Sequence, residues 1–230
     1  MLRLPQNMKS KSGKKRTIRT VTQVRIIEAA VQLFARNGFK GASTREISNL
    51  AKVNEVTLFR YFPSKSDLFL AAAESRLSRV RMGRELQGKL LTNASLRVVI
   101  PLLTEFLLEN FFDPPELARL LYVAGFEVRG GERMVREYLG PLFDDIHSYF
   151  QRCAAKGMMR EVEPSIATLG MAGIVNAHQN FYRMLTGQNL EWNIEKSVPA
   201  YSDFLLGALD YKGQRSSPPV KSLRSAASSK

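Results

Sequence analysis

Four consecutive residues, Asn54, Glu55, Val56 and Thr57, present an amide, a carboxylate, a pair of methyl groups and a hydroxyl in one short run. At the N-terminal end of a helix such groups perform no covalent step. Their chemistry is reversible hydrogen bonding and apolar contact with a partner. Catalytic chemistry has no comparable set. The two histidines, His147 and His178, and the single cysteine, Cys153, have no HExxH or CxxC spacing around them. Asp144 and Asp145 precede His147, but neighbours along a helix do not make a triad, and no GxSxG elbow or phosphate-cradling glycine loop accompanies them. Asp113, Asp144 and Asp145 lack the clustering a metal needs. The expectation is a protein that is not an enzyme and uses no metal and no cofactor.

The elements that must hold those four residues are written in the surrounding sequence. Ser43 followed by Glu46 has the form of a capping box, which opens a helix with Thr44 in its first turn. Ile47, Leu50 and Ala51 fall at the spacing of one buried stripe. Lys52, Val53 and Asn54 form a turn with Val53 as its apolar plug, and a second helix over about 55–61 buries Leu58 and Phe62. Upstream, Thr22 is a cap for a helix carrying Val24, Ile27, Ala30, Val31 and Phe34, and Gly38 stops it. Downstream, Pro63 closes the second short helix, and Ser64 with Asp67 repeats the cap pattern. Helix, three-residue turn and helix in this order predict a helix-turn-helix, whose second helix enters the major groove.

The segments LFARNGF, STREISNLAKV, TLFRYF and PSKSDLF, within roughly residues 22–75, resemble the N-terminal DNA-binding domain of the tetracycline-repressor (TetR) family of bacterial transcription regulators. The resemblance implies that Thr44, Arg60, Tyr61 and Lys65 hold phosphates, while Asn54, Glu55, Val56 and Thr57 meet bases. Two residues depart from the family's pattern. Lys52 stands where glycine is common, so either the turn avoids positive φ or a non-glycine residue is held there at a cost. Phe59 replaces a common tyrosine and lacks its hydroxyl.

Charge is placed unevenly. The formal net charge of +13 divides into +11 over residues 1–65, −3 over residues 66–211 and +5 over the last 19 residues. A basic reader joined to a mildly acidic body is the footprint of a chain that meets phosphate at one end. Residues 1–21, with Lys9, Lys11, Lys14, Lys15, Arg16 and Arg19, read as a disordered basic arm able to follow phosphate or enter the minor groove. Residues 212–230 read as a disordered basic tail. The longest apolar run, Val98 to Leu108, is too short for a bilayer, and the basic N-terminus has no apolar signal core. One cysteine suits a reducing compartment, and the expected location is cytoplasmic with no membrane partner.

The predicted fold class is all-α: a three-helix helix-turn-helix domain over 22–66 and a larger helical effector-binding and dimerisation domain over 67–211. Helices are expected over about 65–86, 95–111, 114–128, 131–156, 164–185 and 194–210, with a kink near Gly140 and Pro141. The family resemblance implies a ligand cavity among these helices and a homodimer through the last two, where Gly170, Ala172, Gly173 and Ala177 allow close approach. Tyr122, Phe126, Asn176 and His178 are the candidate ligand-binding residues. The expected function is a repressor that binds a pseudo-palindromic operator in double-stranded DNA and is released by a small apolar effector. The alternative is a ligand-independent, DNA-bound structural or partner-recruiting protein.

Overall fold

The computed structural model describes residues 20–111, 116–187 and 194–209. The N-terminal arm and the C-terminal tail lie outside them. Within them the chain forms ten helices: α1 (Val21–Gly41), α2 (Thr44–Leu50), α3 (Glu55–Tyr61), α4 (Lys65–Leu77), α5 (Arg84–Leu91), α6 (Leu96–Phe111), α7 (Glu116–Glu127), α8 (Gly131–Ala155), α9 (Pro164–Thr186) and α10 (Ile194–Leu209). The all-α expectation holds.

Local chemistry sets most of the boundaries. The cap of α1 is Thr20 rather than Thr22: its hydroxyl accepts from the Gln23 backbone N–H, and the Gln23 side chain accepts from the Thr20 N–H. Gly38 does interrupt α1, adopting φ 71° before a last short turn to Gly41. The helix expected over 65–86 is two helices. Apolar spacing continues through the break, which masks it, but Gly83 opens α5 after an irregular stretch and the chain turns so that Leu86 and Leu90 reach the core. Helix α8 is continuous through Pro141, and α6 and α10 likewise contain Pro101 and Pro199.

One apolar core runs through reader and body alike. Phe34 packs edge-on against Phe69 with ring centroids 5.0 Å apart, and Phe39 closes the cluster at 5.6 Å from Phe69. This binds α1 to α4. The same pair of helices is clamped at the surface, where Glu28 accepts both Arg76 guanidinium nitrogens at 3.0 and 2.6 Å and Arg79 at 2.9 Å. Helix α7 packs on α1, with the Arg119 guanidinium donating to the Ala35 carbonyl at 3.4 Å. Helix α8 meets α4 through a hydrogen bond from the Tyr138 hydroxyl to Glu74.

Two tight features complete the body. Gly130 turns the chain at φ 84°, and at Gly131 a Cβ would overlap the Ala124 backbone carbonyl, so α7 and α8 meet there with no room for a side chain. Deep in α8, Tyr149, Phe150 and Cys153 are buried, with the Tyr149 hydroxyl donating to the Ala94 carbonyl at 2.8 Å.

Candidate nucleic-acid interface

Helices α2 and α3 reach the surface on a narrow base. Ile47 from α2, Ala51 at its C-cap and Leu58 from α3 are fully or almost fully buried, and Val53 in the turn is partly buried against the core they belong to. Leu50, expected on the buried stripe, is half exposed instead. This seven-residue helix, with α1 and α3 as neighbours, buries Ile47 and Ser48, and Ala51 follows at its C-cap. The Ser43 box forms as expected: its hydroxyl accepts from the Glu46 N–H at 3.1 Å and the Glu46 carboxylate accepts from the Ser43 N–H at 3.0 Å. The Ser43 hydroxyl also donates to the Glu46 carboxylate at 2.7 Å, and this bond, with the one from the Ser43 N–H, holds the Glu46 carboxyl below the usual carboxylate range.

The turn resolves the question raised by Lys52. Its φ is 54°, the only positive φ at a non-glycine among the described residues. A residue that sequence reasoning missed supports it: Arg25 on α1 reaches across to donate to the carbonyls of Ala51, at 2.5 Å, and Lys52, at 3.1 Å. No local signal could have revealed Arg25, because the contact spans 26 residues of sequence.

Asn54 is the cap of α3, its amide oxygen accepting from the Thr57 N–H at 2.7 Å, so only its NH2 group is free to face outward. Val56 projects furthest, 79 % exposed, while Thr57 is half-buried. Glu55 and Thr44 meet: the Thr44 hydroxyl donates to a Glu55 carboxylate oxygen at 2.7 Å, joining the first residues of α2 and α3. Two positions with separate expected roles are therefore one unit.

Arg60 and Tyr61, expected to hold phosphates, close α3, and Lys65 opens α4. The Arg60 guanidinium lies 5.5 Å from the Tyr61 ring centroid. Hydrogen bonding from Thr20, with the Arg60 charge beside it, holds the Tyr61 phenol below its ordinary range. The Lys65 ammonium sits 4.9 Å above the Phe39 ring and donates to the Lys40 carbonyl at 3.4 Å. Arg45 on α2 and Arg60 on α3 are exposed.

Residues 26–72 match the family described as bacterial regulatory proteins, tetR family. Over those residues the chain carries a domain of that family. Its tetR-family domain is similar to the HTH-type transcriptional repressor NicS of Pseudomonas putida, 42 % identical over 53 residues, which is 23 % of this chain and 25 % of that protein. A longer similarity, 33 % identical over 111 residues, links it to the HTH-type transcriptional repressor SCO4008 of Streptomyces coelicolor and covers 46 % of this chain and 50 % of that one. The chain thus spans a quarter to a half of the length of these curated relatives. In fold it is similar to the transcriptional regulator FadR from Bacillus subtilis in complex with stearoyl-CoA, with a TM-score of 0.60 at 15 % identity over 79 % of this chain and 96 % of that one.

Away from the tetR-family domain, a cavity of about 210 Å³ lies where α4 ends. Leu77, Val80, Phe106, Tyr138, Leu142 and Asp145 line it, together with neighbouring residues of the 78–83 stretch and α8. Burial, with Asp144 beside it, pushes the Asp145 carboxyl up. Tyr122 and Phe126 are not among its walls. They stack with centroids 6.5 Å apart on the outer side of α7, where Phe126 is 85 % exposed. Asn176 and His178 fall on α9, and their side chains lie outside the described residues. Among the described residues no helix is long and apolar enough to cross a membrane.

Proposed function

We propose that this chain is a DNA-binding transcriptional repressor that grips a pseudo-palindromic operator as a homodimer. The observation that carries the reading is the start of α3, where Asn54, Glu55, Val56 and Thr57 stand together at the surface, with Arg45 on α2, Arg60 on α3 and Lys65 at the start of α4. In this reading α3 lies in the major groove. Val56 offers the apolar contact suited to a thymine methyl, and Arg60, Tyr61 and Lys65 fix the register on phosphates. The basic arm before Thr20 adds phosphate contacts or enters the neighbouring minor groove.

Dimerisation through α9 and α10 is supported by the open surface those helices present. Gly170 and Gly173 have nothing near their missing Cβ positions, and Ile166, Leu169 and Phe204 are exposed beside them. A two-fold pairing of this face would set two α3 helices at the spacing of successive half-sites.

The effector in this reading is a small, largely apolar molecule in the cavity beside Leu77. Helix α4 carries Lys65 at one end and Leu77 at the other, about 18 Å apart at helical rise. A ligand that binds better to a displaced α4 would thereby disfavour the DNA-competent spacing. FadR of Bacillus subtilis was crystallised with stearoyl-CoA, which supports an apolar or acyl-bearing ligand class. A second reading, a partner-recruiting protein without effector, is favoured by the exposed Tyr122–Phe126 stack.

Selection of bound sequences from a random DNA pool, followed by footprinting, tests the reading: two related half-sites per complex are expected. Lys65→Ala should weaken all sequences alike and lower the salt slope by about one unit. Failure to enrich any sequence would overturn it. Calorimetric titration of candidate effectors with and without operator separates the two readings, because a true effector and the operator must weaken each other by the same factor.

A further inference from the structure

We propose that Glu55 is a specificity-determining residue that commits each half-site to a base bearing an exocyclic amino group, cytosine or adenine, and that Thr44 acts as its positioning residue rather than as a phosphate contact. This rests on the reading of α3 as the base-reading helix.

Three observations lead here. The Thr44 hydroxyl donates to one Glu55 carboxylate oxygen at 2.7 Å, fixing the carboxylate across the gap between α2 and α3 and leaving the second oxygen available. A hydroxyl has a single proton, and both carboxylate and phosphate oxygens are acceptors only, so Thr44 cannot serve Glu55 and a phosphate with that proton at once. Among the described residues no lysine or arginine pairs with Glu55, although Arg45 and Arg60 are exposed on the same two helices.

An unneutralised carboxylate brought into a groove walled by phosphates is repelled and loses water. Its presence is offset only where a donor meets it. In the major groove the donors are cytosine N4 and adenine N6, whereas guanine and thymine turn acceptors, O6, N7 and O4, toward the protein. Glu55 therefore rejects guanine and thymine through acceptor against acceptor, and accepts the other two. Its place at the first position of α3, next to Val56, puts this choice beside the step where the valine methyls meet the DNA.

The test is selection from a random DNA pool by the full-length chain and its variants, followed by affinity measurements against salt. The wild type should show cytosine or adenine at one position of each half-site, disfavouring guanine and thymine there by roughly ten-fold or more. Glu55→Gln keeps the shape but adds a donor, so guanine or thymine should be admitted at that position alone. Thr44→Val should blunt the same preference with an unchanged salt slope, and Thr44→Ser should restore it. A Glu55→Gln variant with the wild-type sequence preference would overturn the role of Glu55. A Thr44→Val variant that weakens every sequence equally, with that preference intact, would return Thr44 to the phosphates and overturn its positioning role. A wild type that enriches no sequence would overturn the base-reading assignment itself, an outcome distinct from either.

Discussion

At the residue scale, Lys52 carries a cost that its neighbours tolerate. A lysine in the left-handed region is less stable there than glycine by about 1 kcal/mol, and Arg25 holds the adjoining carbonyls in place. Lys52→Gly should therefore raise thermal stability by about 0.5–1 kcal/mol, a shift of a few degrees in the melting temperature. An unchanged or lowered midpoint would mean that the flexibility gained by the unfolded chain outweighs the relieved strain. The departure from glycine was legible in sequence; which of its two resolutions applied was not, because the Arg25 bonds that brace this turn come from another helix. The Thr44–Glu55 bond was hidden for the same reason. Each residue announced a helix start, and nothing in an eleven-residue separation says that their side chains touch.

At the scale of elements, caps and apolar spacing gave away most of the helices, since Ser43 and Ser64 declare the starts of α2 and α4 by chemistry that acts within three residues. The division of the 65–86 segment into α4 and α5 was illegible. Its apolar residues keep helical phase, and only the packing of Leu86 and Leu90 into the core forces the turn. The α1–α4 clamp makes a pH-dependent contribution. Arg76 and Arg79 hold the Glu28 carboxyl below its ordinary range, so the clamp stabilises the fold above the unfolded-state pKa and is lost as pH falls through the lower folded-state value. Glu28→Gln should cost about 1 kcal/mol at neutral pH, given a carboxylate that is over a third exposed. Denaturant melts should show this gap closing below about pH 4. At the α7–α8 contact, Gly131→Ala should be far more damaging, about 2–4 kcal/mol, because the methyl must displace the Ala124 backbone. Calorimetry of the purified variant would measure it, and a loss under 1 kcal/mol would show that α7 can shift aside.

At the scale of the whole molecule, the dimer proposal makes a sharp demand on α9. Gly173 stands open in the single chain, so Gly173→Arg should leave the monomer folded while blocking close approach of a second copy. Light scattering should then report a monomer with unchanged helicity, and a persistent dimer would place the interface elsewhere. The core that joins reader to body has a further consequence through the lone cysteine. Cys153 is about 1 % exposed, and burial pushes its thiol up, away from the reactive thiolate form. A soluble alkylating reagent can therefore label only those molecules whose α8 has momentarily parted from its surroundings, and with one thiol per chain every label reports that single event. The natural sequence thus contains its own clock for breathing. Labelling should slow when operator or effector stabilises the closed chain, in proportion to the opened fraction, and the two molecules can be ranked by how far each slows it before any operator sequence or regulated gene is known.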